Sequence, residues 1–386
     1  MPVLNRIAAY SDEMREWRQH LHRHPETRFD CHKTAAFVVE RLKEFGVDEI
    51  HEGLAESGVV ALIHGREPGP MIGLRADMDA LPMDEASGKP HASLVPGAMH
   101  ACGHDGHTTM LLGAARYLAE TRNFAGTAVL IFQPAEEWGS GAHVMVDGGL
   151  FERWPVNQVF AIHNMPGTPV GTFYGNAGAT MAGIDEFEIV VTGIGGHGAY
   201  PHLTRDPITA GAAIHAAIQT ILSRDHYALD RLVVAVTQFH AGTANNITPE
   251  KATLSGTVRS FSEAAQATAK RRLREICAGV EATFGVKVAL DYIEWEPPTV
   301  NDPDSAQFAF NVAEEVGTVA SRDALPEMGG EDFAYMLKAK PGAYIFLGNG
   351  DTADVHHPAY DFSDETAPYG ASYFARIIER ALPVRG

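Results

Sequence analysis

Between about Ala182 and Glu296 the hydrophobic rhythm of this 386-residue chain changes, and this constrains its fold more than any other feature. The block reads as strand Phe187–Thr192, helix Pro207–Arg224, strands Leu232–Phe239 and Ala252–Ser260, helix Glu263–Phe284 and strand Val286–Ile293. That order, β-α-β-β-α-β, is the split unit of ferredoxin-like domains. On both sides of the block, short apolar runs alternate with helical patterns. Val59–Ile63, Met71–Leu74, Ala128–Phe132, Val159–Ile162 and Tyr344–Leu347 read as buried strands. Leu4–His24, Lys33–Phe45, Thr108–Ala119, Ala142–Val146, Ser305–Val316, Glu331–Leu337 and Tyr369–Ala381 read as helices. Buried strands alternating with helices predict an α/β layer with a mainly parallel central sheet. The economical reading is one α/β domain, residues 1–181 and 298–386, interrupted by an α+β domain at 182–297.

The bulk properties narrow the function classes. A prior of roughly 100–200 residues per domain agrees with two or three domains. Apolar content of 45% and charged content of 20% are globular values. The formal net charge of -19 argues against nucleic acid or anionic lipid as a partner, since both need basic surface. Three scattered cysteines, Cys31, Cys102 and Cys277, make no disulfide framework and suit a reducing compartment. The N-terminal stretch has no long apolar run behind a basic start, and no run of about 18 apolar residues occurs anywhere. A soluble, cytoplasmic protein without signal peptide or membrane span is expected.

Open α/β sheets bind ligands beyond the carboxyl ends of their strands, and the strand ends here carry chemistry. Met71–Leu74 runs into Arg75-Ala76-Asp77-Met78-Asp79. Ala128–Phe132 runs into Gln133-Pro134-Ala135-Glu136-Glu137, and Val159–Ile162 into His163-Asn164. Tyr344–Leu347 leads through a Gly/Asp loop to His356-His357-Pro358. A further stretch, MHACGHDGHTTM at 99–110, places Cys102 and His104 before a helix. Cys, His and Glu together suit borderline divalent cations such as zinc, manganese, cobalt or nickel. A closed structural zinc site uses four Cys or His; this set is larger and rich in carboxylates, as a two-metal centre with open positions would be. In the pair Glu136-Glu137, one carboxylate can ligate while its neighbour serves as general base; on its own the pair also fits an exposed helix start.

Other polar residues read two ways. His20 and His24 share a helix face, but histidines near a helix C-terminus are also favoured by the helix dipole. His22 reads likewise as a surface or packing histidine. His107 fits either the site or its support. In the inserted block, Gly195-Gly196-His197-Gly198 presents His197 on a flexible loop or marks a plain turn. Asn246 and Arg259 add an amide and a guanidinium, and arginine is shaped to hold a carboxylate bidentately; Arg259 also reads as an edge-strand surface charge.

The motifs together resemble the dinuclear-metal aminoacylase, hippurate hydrolase and carboxypeptidase family, on the branch of N-acyl-amino-acid amidohydrolases and auxin-conjugate hydrolases. They run nearly end to end: WRQHLHRHPE at 17–26, RADMDALPM at 75–83, MHACGHDGHTTMLLGAA at 99–115, FQPAEE at 132–137, HNMPG at 163–167, GGHGAYPH at 195–202, GGEDFAYML at 329–337 and HHPAYDF at 356–362. The resemblance implies a zinc-peptidase-like catalytic domain, an inserted dimerisation domain and two divalent cations per subunit. It implies Cys102, His104, Glu137, His163 and His356 as metal ligands, Glu136 as general base, and Asp79 as the residue that orients the site and tunes that base. It implies His197, Asn246 and Arg259 as substrate-binding residues, with His197 reaching the neighbouring subunit's site and stabilising the oxyanion.

Three positions depart from the family pattern. The late histidine is doubled, so His356 and His357 compete, with motif alignment favouring His356. The usual Asn-Val-Ile-Pro is Asn246-Ile247-Thr248-Pro249 here. Trp138 follows the glutamate pair where a smaller residue is frequent, and either narrows the acyl side of the pocket or packs. The implied function is a metal-dependent amidohydrolase, a homodimer or higher homo-oligomer, cleaving the amide bond of N-acyl-L-amino acids by metal-activated water. A dipeptidase or carboxypeptidase on the same scaffold is the alternative.

Overall fold

Every residue of the strand Ala125–Gln133 is buried, as in a strand covered on both faces. It belongs to the larger of two compact units in a computed structural model that describes residues 3–384. That unit comprises the chain up to Thr180, Val300–Pro326 and the chain from Asp332 onward. Its eight-stranded sheet runs in the order Glu49–Leu54, Gly58–His64, Ala125–Gln133, Glu67–Asp77, Gln158–Met165, Gly342–Gly348, Thr172–Tyr174 and Thr318–Ser321. The four strands from Ala125–Gln133 to Gly342–Gly348 are mutually parallel. The run around Val59–Ile63 is a strand, but an antiparallel one, because it returns from the hairpin partner Glu49–Leu54. The α/β class with a mainly parallel centre, expected from the alternating pattern, is what the chain adopts.

Register decides where the chemistry lands. Asp77 pairs with Gln133, Arg75 with Ala161, and Phe346 with His163. The carboxyl ends of the parallel strands therefore share one edge, and that edge carries Asp77, Gln133 and His163. Behind it, the helices His104–Thr121 and Ala367–Ala381 pack closely; a Cβ on Gly370 would stand 1.9 Å from the Met110 sulfur. Leu111, Leu112 and Leu118 are fully buried in this layer, each worth roughly 1.5–3 kcal/mol of burial free energy. The single helix expected over Leu4–His24 is two, Asn5–Ala8 and Ser11–Arg23. Tyr10 interrupts it by turning its ring into the core, where its hydroxyl donates to the Gly113 carbonyl at 3.2 Å.

The second unit, Met181–Thr299 with Glu327–Glu331, is α+β. Its antiparallel sheet has the order Leu232–Ala241, Lys251–Ser260, Gly183–Thr192 and Lys287–Glu296. In sequence order that is 2-3-1-4, the arrangement of a ferredoxin-like fold. Burial alternates along Gly183–Thr192, so one sheet face is covered. The helices Pro207–Thr220 and Glu263–Phe284 pack there. Each starts on a side-chain cap: Asp206 accepts from Ile208 N–H at 2.9 Å, and Ser262 from Ala265 N–H at 3.1 Å. Among the described residues, no helix is long and apolar enough to cross a membrane.

Candidate metal centre

The helix His104–Thr121 begins at Gly103, whose φ of 89° lies in the left-handed region. A Cβ there would meet Asn164 Nδ2 at 2.3 Å and Tyr360 Oη at 2.4 Å, so both backbone and space demand glycine. This turn brings Cys102 and His104 into the interior as neighbours. His104 Nδ1 donates to the Asp79 carbonyl at 2.9 Å. A carbonyl only accepts, so the bond keeps a proton on Nδ1 and leaves Nε2 as the nitrogen a cation could take in place of a proton. That nitrogen lies 3.6 Å from Asp77 Oδ2, 3.8 Å from Glu137 Oε1 and 3.9 Å from Glu136 Oε2. Burial opposes a charge on His104, yet Asp77, Asp79 and Glu137 raise its pKa to about 10.

Asp77 ends its strand inside a buried network. Arg75 donates to Asp77 Oδ2 at 2.9 Å, to Gln133 Oε1 at 2.8 Å and to Asp332 Oδ1 at 3.1 Å. His107 Nδ1 donates to Asp77 Oδ1 at 2.6 Å, and His107 Nε2 accepts the Asn164 N–H at 3.0 Å. Burial would raise the Asp77 pKa, but His104, His107 and Arg75 hold the carboxylate well below the usual range. With both ring nitrogens engaged, His107 supports Asp77 and has no lone pair to offer a cation.

The Glu136-Glu137 turn follows Ala135, a non-glycine residue at φ 57°. Asp79, fully buried, holds the turn: its two oxygens accept the Glu136 N–H at 3.0 Å and the Glu137 N–H at 3.1 Å. Burial pushes the Asp79 pKa up. His163 donates Nδ1–H to the Asn164 carbonyl at 2.6 Å, so its free Nε2 faces the Cys102 sulfur at 3.4 Å. Burial and the neighbouring His107 keep His163 neutral, well below the ordinary histidine pKa. His356 Nε2 stands 3.4 Å from Glu137 Oε1. The adjacent His357 is exposed and turns Nδ1 to the Ala359 N–H at 3.0 Å. The structure thus brings His356 to the cluster and leaves His357 outside.

Donor atoms within 4.8 Å of one another form overlapping sets: Cys102, His104 and His163; Cys102, Glu137 and His356; His104, Glu136 and Glu137. Two buried atoms within these sets, His104 Nε2 and Glu137 Oε1, have no hydrogen-bond partner among the described residues. Burial, with the charges of Glu137 and Glu136, pushes the Cys102 thiol far up. A thiolate here needs a compensating cation. The donors therefore fit two divalent cations, and Cys102 is common to two of the donor sets.

Other residues fall outside the cluster. His22, read as a surface or packing histidine, takes the packing alternative: it is buried and paired to Asp105 Oδ2 at 2.8 Å. Against the cost of burial, Asp105 and Glu85 hold its pKa up at about 9. Arg18 beside it binds Asp364 at 2.7 Å and Asp361 at 3.3 Å. His24 Nδ1 donates to the His20 carbonyl at 2.8 Å and His20 stacks on Phe37, so both have packing roles. Trp138 is exposed, with the Arg28 guanidinium 3.8 Å from its ring centre.

In the second unit, His197 is exposed and pairs in register with Ile247 across a short antiparallel ladder. The Asn246 carbonyl accepts the Gly198 N–H at 2.8 Å, which brings His197 and Asn246 together. Arg259 lies on Lys251–Ser260, where its guanidinium donates to Thr257 Oγ1 and to the Val258 carbonyl. Sequence reasoning placed Arg75, Asp77, Gln133 and Asn164 at strand ends but gave no role to them, nor to Asp332 and Tyr360. The available signal was polar residues directly continuing apolar strand runs.

Comparison with known proteins agrees with this geometry. Residues 73–380 match the model of peptidase family M20/M25/M40. A hippurate hydrolase of Campylobacter jejuni is 38% identical over 384 residues, 99% of this chain and 100% of that one. An N-acetylcysteine deacetylase of Bacillus subtilis is 36% identical over 96% of this chain and 97% of its own. A crystal structure from Bacillus subtilis, described as a dinuclear metal binding peptidase from the M20 family, superposes with a TM-score of 0.85 at 34% identity. It covers 97% of this chain and 99% of that one.

Proposed function

The chain belongs to peptidase family M20/M25/M40, and from that premise we propose that it is a metal-dependent amidohydrolase cleaving the amide bond of N-acyl-L-amino acids. The observation that carries this reading is the overlap of two donor sets at Cys102, with Glu136, the other glutamate of the adjacent pair, beside them. Cys102, His104, His163, Glu137 and His356 would hold two divalent cations, drawn from zinc, manganese, cobalt or nickel. When bound, such cations supply Lewis acidity that polarises the scissile carbonyl and makes water nucleophilic at neutral pH.

The remaining work falls to the protein. Glu136 takes the proton of the attacking water and delivers it to the leaving nitrogen, releasing a free amino acid and a carboxylic acid. Asp79, by holding both N–H groups of the 136–137 turn, fixes the direction of the Glu136 carboxylate. His197 stabilises the tetrahedral oxyanion, while Asn246 and Arg259 engage the substrate's carboxylate end. The second unit serves dimerisation, and the enzyme works in the cytoplasm.

A substrate panel tests the reading. Metal-free protein is reloaded with each cation and offered N-acetyl-amino acids, hippurate and dipeptides. Hydrolysis of acyl-amino acids, lost on chelation and restored by metal, is expected. Preference for dipeptides would replace the reading with a peptidase, and metal-independent hydrolysis would refute it.

A further inference from the structure

His356 differs from the other proposed ligands. Its side chain is 53% exposed, it comes from a loop, and its backbone sits at φ 62°. A non-glycine residue in the left-handed region is strained and persists only where its surroundings over-determine it. Two contacts do so. The His356 N–H donates to the Ala101 carbonyl at 2.7 Å. Further along the loop, the wholly buried Tyr360 donates its hydroxyl to Asn164 Oδ1 at 2.6 Å.

Asn164 is itself fully buried, and each of its polar groups is engaged. Nδ2 donates to the Cys102 carbonyl at 2.6 Å and its N–H to His107 Nε2 at 3.0 Å. Its carbonyl accepts His163 Nδ1–H at 2.6 Å. One residue therefore ties together the three segments that carry Cys102, His163 and His356. The fit has no slack, since the bare Cα of Gly103 is all that fits against Asn164 Nδ2 and Tyr360 Oη.

We propose that Asn164 and Tyr360 are positioning residues, a buried latch that sets the distance of the His356 loop from Cys102 and His163 and so the affinity of the cation held through His356. Neither residue ligates: the hydroxyl and the amide are spent on protein partners. The effect is selective because Cys102, His104 and His163 are placed by a helix start and a sheet strand, whereas His356 depends on its loop. The inference rests on the two-cation reading above.

Tyr360→Phe removes one hydroxyl and keeps the ring. Tyr373→Phe is the control, because Tyr373 is buried in the same core and its hydroxyl has no hydrogen-bond partner among the described residues. Full-length proteins are loaded with cobalt(II). Chelator-driven release is followed by metal analysis and cobalt–thiolate absorption, alongside the melting temperature of the metal-free forms. The parent should release two cations. Tyr360→Phe should release one of them at least about tenfold faster and the other at the parental rate, as supporting hydrogen bonds to metal sites typically do. Tyr373→Phe should match the parent at both. Parental release of both cations by Tyr360→Phe overturns the latch, with or without a lower metal-free melting temperature; so does equal weakening of both sites. A parent that binds no cation overturns the metal reading itself, and the latch with it.

Discussion

The Nε2 atom of His163 faces the sulfur of Cys102 at 3.4 Å, with its lone pair exposed because Nδ1–H is committed to the Asn164 carbonyl. Cys102 also belongs to the donor set of Glu137 and His356. A single sulfur is thus common to two of the donor sets that would hold the cations. Cys102→Ser, which offers a far weaker and harder ligand, should weaken both cations by at least tenfold. It should also abolish the cobalt–thiolate band. Metal analysis after dialysis checks this. Retention of two cations at parental affinity would show that the sulfur does not ligate.

Glu136 is the test of proton transfer. Glu136→Gln preserves shape and leaves all five proposed ligands in place. It should keep both cations yet lose about 10²–10⁴-fold in turnover, the range expected for general acid–base catalysis. The comparison is kcat per metal-loaded site on an N-acetyl-amino acid. Near-parental kcat in a fully loaded sample would remove Glu136 from the mechanism.

Asp79 separates geometry from stability. Its two oxygens accept the N–H groups of Glu136 and Glu137 in a fully buried setting. Asp79→Asn keeps one acceptor and turns the other into a donor facing a donor, so turnover should fall about 10–100-fold with only a modest loss of stability. Asp79→Ala orphans both N–H groups, at roughly 1–3 kcal/mol for each. Urea unfolding of the metal-free proteins reads this as a lower midpoint for Ala than for Asn. Equal midpoints would mean the turn holds itself.

What could be read from the sequence follows from locality. Cys102, His104, Glu136, Glu137 and His163 announce themselves because each lies at a strand end or helix start, where α/β sheets place ligands. Motif alignment favours His356 over His357, but where each ring points depends on the loop, with the His356 backbone at φ 62° and the His357 ring turned to the Ala359 N–H. The link from Arg75 to Asp332 spans 257 residues, and only the tertiary fold, which sets the start of the helix Phe333–Ala339 against the strand Glu67–Asp77, brings the two together. His22 was half legible: with Met14, Arg18 and Leu21 it lies on the buried side of its helix, so polar residues at apolar positions were the clue. The strand Glu49–Leu54 gave none, because most of it is exposed and polar.

The second unit offers a prediction independent of the metals. Asp185 is fully buried under its helices, accepting Tyr292 O–H at 2.6 Å and Gln266 N–H at 2.8 Å. Burial raises its pKa, against the opposing pull of Tyr292, Gln266, Lys270 and Arg259. The folded state therefore holds this proton more tightly than the unfolded chain does. The resulting stabilisation is present below the unfolded pKa, about 3.9 for aspartate, and is lost as pH rises through the higher folded value. Hydrogen exchange of amides in Gly183–Thr192, followed from pH 3.5 to 6, should show protection free energies declining across that window in the parent. Asp185→Asn, which cannot ionise, should flatten this local decline while leaving metal uptake unchanged. An identical pH slope in parent and variant would show that the Asp185 proton is not what the unit responds to.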